Sequence, residues 1–285
     1  MSNETATARA AMPTVANPIL ERRTVENSNR NVLKYLKPGL TVLDVGCGSG
    51  AITRGIAERV GPQGRVLGID PGEKLIAAAQ QHTVGLPQLS FQQADLYTFE
   101  TTERFDLVTC ARVLQWLNRP EEALVRMKEW VKPGGFLAVL DYNHEKVEWL
   151  PEPPDAMRTF YDAFLRWRQE AGFDNAIADH LAALFERNGL AEVTAELQFE
   201  SSRKGEPGFA TASRIWSEVA EIRGPQLVQD GYVSEEDRLR AIAEYDQWVA
   251  TTGESMQLYL LAVEGKRVEE KTGLLRPSLG RSKPE

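Results

Sequence analysis

The chain has 285 residues, of which 42% are hydrophobic and 26% are charged, the composition of an ordinary globular protein. This length fits one large domain or two small ones and allows a substantial buried core. The 33 basic and 41 acidic side chains give a net charge of −8, which disfavours a broad nucleic-acid-binding surface. The two cysteines exclude a disulfide framework and argue against a structural zinc site.

The two ends of the chain differ in composition from the rest. Residues 1–15 are rich in Ala and Thr without an apolar run, so we predict a disordered leader and no signal peptide. Residues 266–285 are rich in Lys, Arg, Gly and Pro, which predicts a flexible tail. The longest apolar stretch, Gly135–Leu140, is too short to cross a bilayer. We therefore expect a cytoplasmic protein.

Short apolar runs alternate with amphipathic stretches in the first half of the chain, which is typical of a parallel sheet covered by helices. A helical pattern from Asn17 to Leu36 predicts an N-terminal helical arm. The strands predicted after it are Thr41–Val45, Val66–Ile69, Leu89–Gln93, Phe105–Cys110 and Phe136–Leu140, and the helices are Ser49–Val60, Glu73–Gln81 and Pro120–Val131. Strand–helix units in this order predict right-handed crossovers and an open twisted sheet.

The second half departs from this repeat. We predict a helix from the residues after Pro154 to about Glu170, further helices over Asn175–Arg187, Phe209–Glu221 and Ser234–Val249, and strands over Ala191–Phe199 and Met256–Val263. The whole predicts a single domain over residues 16–265. Its core would cover residues 38–142, and a cap and C-terminal half would cover residues 143–265.

A glycine-rich turn follows the first predicted strand. Closely spaced glycines let a backbone turn sharply and approach a ligand without a Cβ atom in the way. The helix that begins directly after the turn offers free N–H groups to a carboxylate or phosphate. The turn consists of Asp44, Val45, Gly46, Cys47, Gly48, Ser49 and Gly50. Alone, it fits a methyl-donor site, a nucleotide site or an ordinary turn.

Two aspartates follow the next two predicted strands. Asp70 can accept both ribose hydroxyls of an adenosine ligand, and the alternative is an N-cap on the helix after Pro71. Asp95 could accept the adenine amino group while Leu96 packs on the ring. By itself, Asp95 is better interpreted as an ordinary loop aspartate.

These features together resemble the class I S-adenosylmethionine-dependent methyltransferases, of the methyltransferase type 11 kind. The resemblance covers about residues 30 to 142, half the chain. It is carried by five segments in the family's order, Val42–Gly50, Gly68–Asp70, Ala94–Leu96, Phe105–Val108 and Val131–Gly135. Ala94 is a departure, because many relatives have Gly there.

The resemblance implies an α/β, Rossmann-like fold with a seven-stranded, mostly parallel sheet, helices on both faces, helical cap insertions and a reversed last strand. It implies S-adenosylmethionine as the cofactor. It also implies the binding residues: Asp44, Gly46, Cys47, Gly48 and Gly50 near the methionine moiety, Asp70 and Pro71 at the ribose, Asp95 and Leu96 at the adenine, and the backbone of Ala111 at the ammonium group.

Several other enzyme classes fit less well. A dehydrogenase shares the turn and the acidic residue, but its fingerprint is Gly-x-Gly-x-x-Gly, whereas this chain has Gly-x-Gly-x-Gly. No Gly-Lys-Ser/Thr follows, and Ser49 lies one residue too late for a nucleophile elbow. Cys110–Trp116 replaces the Asn/Asp-Pro-Pro-aromatic motif in which nucleobase methyltransferases resemble one another. An NAD-binding oxidoreductase and a non-catalytic cofactor-binding module stay as alternatives.

Methyl transfer from a sulfonium is an in-line displacement, so the protein mainly aligns the acceptor and excludes water. A general base can also assist methylation of an oxygen or nitrogen acceptor. His144 is our candidate because it follows the fifth strand at the carboxyl edge of the sheet, the alternative being a structural hydrogen bond. Tyr142 is a second catalytic candidate. We predict substrate contacts for Trp116, Asn143, Tyr161 and His180, no metal ion, and only a packing role for Cys47 and Cys110.

Aromatic side chains accumulate at and after the ends of strands four and five, at Trp116, Tyr142, Trp149, Phe160, Tyr161, Phe164 and Trp167. For Phe160 and Phe164 we favour a core position under a helix. For the segment as a whole, the hypothesis is a cap over an apolar or aromatic acceptor. Aromatic faces would also stabilise the cation formed when an alkene carbon is methylated.

Residues Asp141–Phe185 resemble the same part of bacterial small-molecule methyltransferases of specialised (natural-product) metabolism. Together with the long N-terminal helix, they resemble the teleocidin-type C-methyltransferases, which would imply a homo-oligomer through that helix. The expected function is methylation of an apolar or aromatic small molecule, including C-methylation of a prenyl alkene. The alternative is O- or N-methylation with His144 as the base, and no nucleic-acid or membrane partner is expected.

Overall fold

The computed structural model describes residues 3–11 and 18–268. The helices are α1 Asn3–Ala10, α2 Pro18–Glu21, α3 Val25–Ser28, α4 Ala51–Val60, α5 Glu73–Ala79, α6 Pro120–Trp130, α7 Asp155–Glu170, α8 Ile177–Arg187, α9 Phe209–Ser213, α10 Ile215–Ile222, α11 Gly224–Gln229 and α12 Glu235–Ala250. Short 3-10 helices cover Arg30–Lys34, Gln80–Thr83 and Leu114–Trp116. The strands are β1 Thr41–Val45, β2 Arg65–Asp70, β3 Leu89–Gln93, β4 Phe105–Ala111, β5 Val131–Leu150, β6 Leu190–Leu197, β7 Glu200–Arg203 and β8 Ser255–Arg267.

One mixed sheet organises the domain, with the strand order β3-β2-β1-β4-β5-β8-β6. Strands β1 to β5 are parallel, and β8 is antiparallel to both β5 and β6. The predicted Rossmann-like α/β fold and the reversed last strand are confirmed. The described residues form eight strands rather than seven, because the strand predicted over Ala191–Phe199 ends at Leu197. The chain then pairs again with β8 as the short β7.

Strands β4 and β5 are among those longer than predicted, and their length positions the site. Strand β4 ends at Ala111, which pairs with Leu140 of β5. Strand β5 continues to Leu150 because β8 runs antiparallel to it as far as the pair of Leu150 with Ser255. Tyr142 and His144 therefore lie on an extension of the sheet beyond the carboxyl ends of the other parallel strands.

The cap is a second hydrophobic core, built on this extension by α7 and α9 to α12. Phe160, Phe164 and Trp167 share one face of α7 and are at most 1% exposed. The core position favoured for Phe160 and Phe164 is confirmed. Ser234 accepts a hydrogen bond from the N–H of Asp237 and so caps α12, as its sequence predicts.

The N-terminal predictions are wrong where the structure describes them. Residues 3–10 form α1 instead of a disordered leader, and Ala6 packs against Ala171 and Phe173. The predicted long helix is divided into α2, α3 and a 3-10 helix. Asn29 causes one of the breaks, because its buried amide donates to Thr109 Oγ1 at 3.1 Å and its φ of −151° is not helical. The homo-oligomer through this N-terminal segment stays a prediction.

The C-terminal prediction is tested only at its beginning. Lys266 and Arg267 still belong to β8, so the tail does not begin at residue 266. Residues 269–285 lie outside the described residues. Within residues 3–11 and 18–268, no helix has the length and apolar character to cross a membrane.

Candidate cofactor and acceptor site

The glycine-rich turn between β1 and α4 requires its glycines. Gly46, Gly48 and Gly50 have φ values of 74°, 55° and 84°, a region that residues with a Cβ atom rarely adopt. A Cβ atom on Gly46 would lie 2.3 Å from Val113 Cγ2, and one on Gly50 would lie 2.6 Å from Phe91 Cζ. At Gly48 a Cβ atom would make only an ordinary van der Waals contact, 3.8 Å from Leu20 Cδ1. The turn is therefore tightly packed at Gly46 and Gly50 and less tightly packed at Gly48.

We predict that Gly50→Ala destabilises the protein by about 2–4 kcal/mol, because strain at positive φ adds to overpacking against Phe91. The matched control is Gly39→Ala, whose φ is 87° but whose Cβ would meet nothing within 4 Å. The control should lose about 1–2 kcal/mol of stability, because only the strain of a Cβ atom at positive φ acts there. Urea unfolding measures both, and equal losses would contradict the packing assigned to Gly50.

Asp70 joins this turn to the end of β2. Its Oδ2 accepts the N–H of Gly48 at 3.1 Å, and its Oδ1 accepts the N–H of Gly72 at 2.8 Å. Each carboxylate oxygen keeps a lone pair for a further donor, which suits two ribose hydroxyls. The N-cap of α5 is Gly72 rather than Asp70, so the capping alternative is wrong. Burial raises the pKa of Asp70, and the two N–H groups oppose that rise.

The carboxyl group of Asp44 points inward, beneath the turn and toward α4. The carboxyl group is 4% exposed and accepts a hydrogen bond from Thr53 Oγ1 at 2.6 Å. Burial raises the pKa of Asp44 to about 7, while the Thr53 hydroxyl opposes the rise. The predicted direct contact of Asp44 with the cofactor is therefore wrong. Asp44 supports the turn through α4.

The predicted adenine side lies at the ends of β2 and β3. The N–H of Ala94 donates to the carbonyl of Asp70 at 3.0 Å, which brings Asp95 beside the β2 loop. Asp95 is exposed and accepts the N–H of Tyr97 at 2.7 Å, and Leu96 is 8% exposed. Pro71 is exposed next to Asp70. Asp70, Pro71, Asp95 and Leu96 thus share one edge of the sheet, as predicted.

The cysteine residues pack in the core of this region. Cys47 forms part of the turn, and Cys110 in β4 is fully buried. Burial, with Asp44 nearby, raises the pKa of both thiols well above the ordinary value. Both thiols stay protonated at neutral pH and are poor nucleophiles.

An N-terminal strap, residues 18–29, crosses the turn. Leu20 lies above Gly48, and Arg22 makes two hydrogen bonds of 2.7 and 3.1 Å to Glu218 of α10. At the other end of the strap, Val25 packs on Gly55 of α4. The strap therefore connects the cap to the cofactor side.

Helix α1 precedes the strap and is held by buried arginines. Arg223 donates to the carbonyls of Arg9 and Ala11 at 2.9 and 2.5 Å and so satisfies the C-terminal end of α1. Arg9 lies over the Trp167 ring at 5.0 Å. Sequence analysis missed this helix because its stabilising partners lie more than 150 residues away.

His144 is held in one tautomer by the chain after β4. Gln115 Nε2 donates to the carbonyl of Arg112 at 3.3 Å, so Gln115 Oε1 faces His144 Nε2 at 2.6 Å and must accept from it. Nδ1 is then the unprotonated nitrogen, and it is buried without a hydrogen-bond partner among the described residues. Burial, reinforced by the charge of Arg168, holds the pKa of His144 well below the ordinary histidine value. His144 is a neutral base with an available lone pair.

Tyr142 is not free to act as a base. Its hydroxyl accepts from Arg112 Nε at 2.9 Å and donates to Glu200 Oε2 at 3.0 Å. Burial raises the pKa of Tyr142, and the neighbouring Glu200 adds to that effect. The predicted catalytic role of its hydroxyl is therefore corrected to one of positioning.

Aromatic rings surround His144 on the cap side. Its ring centroid lies 5.3 Å from Tyr142, 6.0 Å from Phe164 and 6.2 Å from Trp216 of α10. Tyr161 lies 4.5 Å from Trp216, and its hydroxyl donates to the carbonyl of His144 at 2.5 Å. The structure thus brings predicted residues Tyr142, His144 and Tyr161 together. Trp216 is an addition, and its buried Nε1 has no partner among the described residues.

Three residues predicted to contact the substrate have other partners in the structure. Trp116 lies between the guanidiniums of Arg168 and Arg223, each 4.5 Å from its ring, so neither ring face is available. Asn143 points to the opposite side of β5 from its neighbours, as strand alternation requires, and donates to Asp179 at 2.8 Å. His180 is exposed on α8 and paired with Asp174 at 2.5 Å.

The residues around the turn fit the cofactor expected from the sequence. Gly48 places a backbone without a Cβ atom at the turn, Asp70 offers two acceptor oxygens, and Ala111 lies at the adjoining end of β4. The sequence matches the methyltransferase domain family over residues 36–189, more than half of the chain.

The chain belongs to the methyltransferase domain family.

The family confirms the enzyme class and cofactor predicted for this domain: it is an S-adenosylmethionine-dependent methyltransferase domain. The NAD-binding alternative is wrong.

Relatives show how far this similarity reaches. Trans-aconitate 2-methyltransferase of Deinococcus radiodurans is 32% identical over 163 residues, which cover 56% of this chain and 61% of that protein. Ubiquinone biosynthesis O-methyltransferase of Leptothrix cholodnii is 31% identical over 155 residues, which cover 48% of this chain and 65% of that protein. The chain thus spans less than two thirds of the length of these relatives.

A solved structure shares the fold. Phosphoethanolamine N-methyltransferase 2 of Haemonchus contortus, in complex with phosphomonomethylethanolamine and S-adenosylhomocysteine, aligns with a TM-score of 0.54 at 16% identity. The alignment covers 85% of this methyltransferase and 52% of that chain.

Proposed function

We propose that this methyltransferase O-methylates a small molecule that has an apolar or aromatic body and an acidic hydroxyl group. The observation that carries the proposal is the fixed tautomer of His144, which leaves the Nδ1 lone pair free in a buried aromatic cluster. A base in this position can remove the proton of a hydroxyl as it is methylated. Two of the relatives bear names that fit small-molecule methylation, one of them an O-methyltransferase.

The division of tasks follows from the residues. S-adenosylmethionine, when bound, supplies an electrophilic methyl group. Asp70 and the glycine turn bind and orient the adenosine and methionine portions. Tyr161 and Trp216 bury the acceptor body and exclude water, and His144 Nδ1 takes the hydroxyl proton. The reaction releases one proton per turnover, so His144 passes this proton to solvent when the product leaves and is then neutral again.

The prediction of C-methylation at a prenyl alkene keeps one supporting observation. The rings of Tyr161 and Trp216 meet edge to face with centroids 4.5 Å apart, and such aromatic walls stabilise a neighbouring cation. Carbon methylation of an alkene, however, does not explain a buried base with a free lone pair. We therefore place it second. A role in specialised metabolism stays a prediction.

The proposal is tested by incubating the protein with S-adenosylmethionine and a panel of phenols, catechols and hydroxy acids, each paired with its O-methyl ether. Release of S-adenosylhomocysteine measures turnover, and mass spectrometry locates the methyl group. We expect transfer to oxygen with the free hydroxyl and none with the ether. Transfer to carbon of a prenylated acceptor would support the second candidate instead.

The pH dependence of kcat gives an independent check. A base whose pKa is lowered stays unprotonated at lower pH, so at saturating cofactor kcat should not fall as the pH passes down through the ordinary histidine value of about 6.5. The fall should appear only in more acidic solution. A midpoint at or above 6.5 would contradict the burial and charge assigned to His144.

A further inference from the structure

A partly buried charged cluster lies beside the aromatic rings at the carboxyl ends of β4 and β5. It consists of Arg23 of the strap, Arg112, Tyr142 and Glu200. Arg112 is 5% exposed and uses every side-chain nitrogen within the protein. Nε donates to Tyr142 at 2.9 Å, Nη1 donates to the carbonyl of Ser28 at 2.5 Å, and Nη2 donates to Glu200.

Arg23 reaches the same cluster with donors to spare. Among the described residues its hydrogen-bond partner is the Tyr142 hydroxyl, whereas a guanidinium carries five N–H donors. Burial and the charge of Arg112 lower the pKa of Arg23, which marks a cation short of compensation. The side chain is partly exposed.

The charges of the cluster do not balance. Burial would raise the pKa of Glu200, but Arg112 and Arg23 hold it below its ordinary value, so Glu200 is ionised. Two guanidiniums and one carboxylate leave one positive charge in excess. Asp141 is the next carboxylate, but its oxygens accept the N–H groups of Tyr142 and Gln115. Both Arg168 and Arg112 lower the pKa of Asp141, and Arg168 has the larger effect.

The excess charge lies where the two substrates must meet. Arg23 is three residues after Leu20, which covers Gly48 of the turn, and it contacts Tyr142, whose ring is 5.3 Å from His144. Given the proposed function, we infer that Arg23 binds a carboxylate within the reaction site. Its free N–H donors and uncompensated charge match that group. The carboxylate is that of the acceptor, which would then be a hydroxy acid, or that of the methionine end of the cofactor.

The cofactor source is tested by calorimetry with Arg23→Gln. The probes are S-adenosylhomocysteine, which carries the carboxylate, and methylthioadenosine, which lacks it. If Arg23 binds the cofactor, the variant should bind S-adenosylhomocysteine about 10- to 100-fold more weakly than wild type does. Its affinity for methylthioadenosine should not change. The control is Arg30→Gln, an exposed arginine just beyond the strap with the same charge change.

The acceptor source is tested in protein saturated with S-adenosylhomocysteine. Small aromatic hydroxy acids, starting from 4-hydroxybenzoate, are compared with their primary amides for binding. If Arg23 binds the acceptor, wild type should prefer acids to amides, and Arg23→Gln should abolish that preference. Arg23→Lys, which keeps the charge but not the planar fork, should restore part of it in whichever arm responds.

Folding and function separate in this design. Because Arg23 places a second positive charge beside Arg112 that no carboxylate of the cluster balances, Arg23→Gln should unfold at the wild-type temperature or above it. A marked loss of stability would mean that Arg23 serves the fold, and it would overturn the inference. So would unchanged binding in both arms. If wild type itself fails to bind S-adenosylhomocysteine, the proposed function fails instead.

Discussion

Asp70→Asn is expected to weaken S-adenosylhomocysteine binding about 100-fold or more. Two hydrogen bonds from ribose hydroxyls to a carboxylate contribute about 1.5–3 kcal/mol each to binding. In the variant a neutral amide replaces the charged acceptor of both hydrogen bonds. The change also places an amide NH₂ against the N–H of Gly48 or Gly72, where a carboxylate oxygen now accepts. The geometry of the turn is therefore disturbed together with the ligand contact.

Calorimetry measures this affinity, and Glu73→Gln is the matched control. Glu73 is exposed at the beginning of α5, three residues from Asp70, and loses the same charge. It should bind S-adenosylhomocysteine as wild type does. Wild-type affinity in Asp70→Asn would contradict the ribose contact, and a lowered unfolding temperature beside it would show that Asp70 only braces the turn.

His144→Gln is expected to lower kcat about 100- to 10,000-fold while leaving S-adenosylhomocysteine affinity unchanged, because a positioned general base contributes that factor. Glutamine is chosen because its amide can still donate to Gln115, as His144 Nε2 does at 2.6 Å. The variant removes the basic nitrogen and keeps the hydrogen bond. Single-turnover rates of product formation measure the effect.

His82→Gln is the control for His144. His82 lies in a 3-10 helix after α5 and is partly exposed, and kcat should not change in this variant. If His144→Gln turns over at the wild-type rate, no base is needed. Alignment within the aromatic cluster would then be the better account, and C-methylation would become the first candidate.

The sequence predicts the cofactor half of the site well because that half is made from local signals. Gly46, Gly48 and Gly50 are required by backbone conformation within one turn, and Asp70 follows at the end of the next strand. Short apolar strands between amphipathic helices also predict an open twisted sheet with right-handed crossovers. Asp44 is the exception, since only the packing of Thr53 shows that its carboxyl group faces inward.

The acceptor half could not be predicted to the same depth. Arg112, Gln115 and Glu200 carry its geometry, yet nothing in their local sequence marks them. Arg112 has a positive φ of 61°, and Glu200 reaches it from 88 residues further along the chain. The same limit applies to Trp116 and His180. Both lie near site residues in the sequence, but their partners in the structure are Arg168 and Arg223 for Trp116 and Asp174 for His180.

The sequence by itself therefore determined the fold class, the methyl donor and the edge of the sheet where it binds, because these depend on contacts between near neighbours in the chain. Only the tertiary structure decided which nitrogen of His144 is basic, that Tyr142 is held by Arg112 and Glu200, and that Arg23 carries an unbalanced charge. Those properties arise from burial and from partners that the chain brings together only when β5, the cap and the strap have folded against one another.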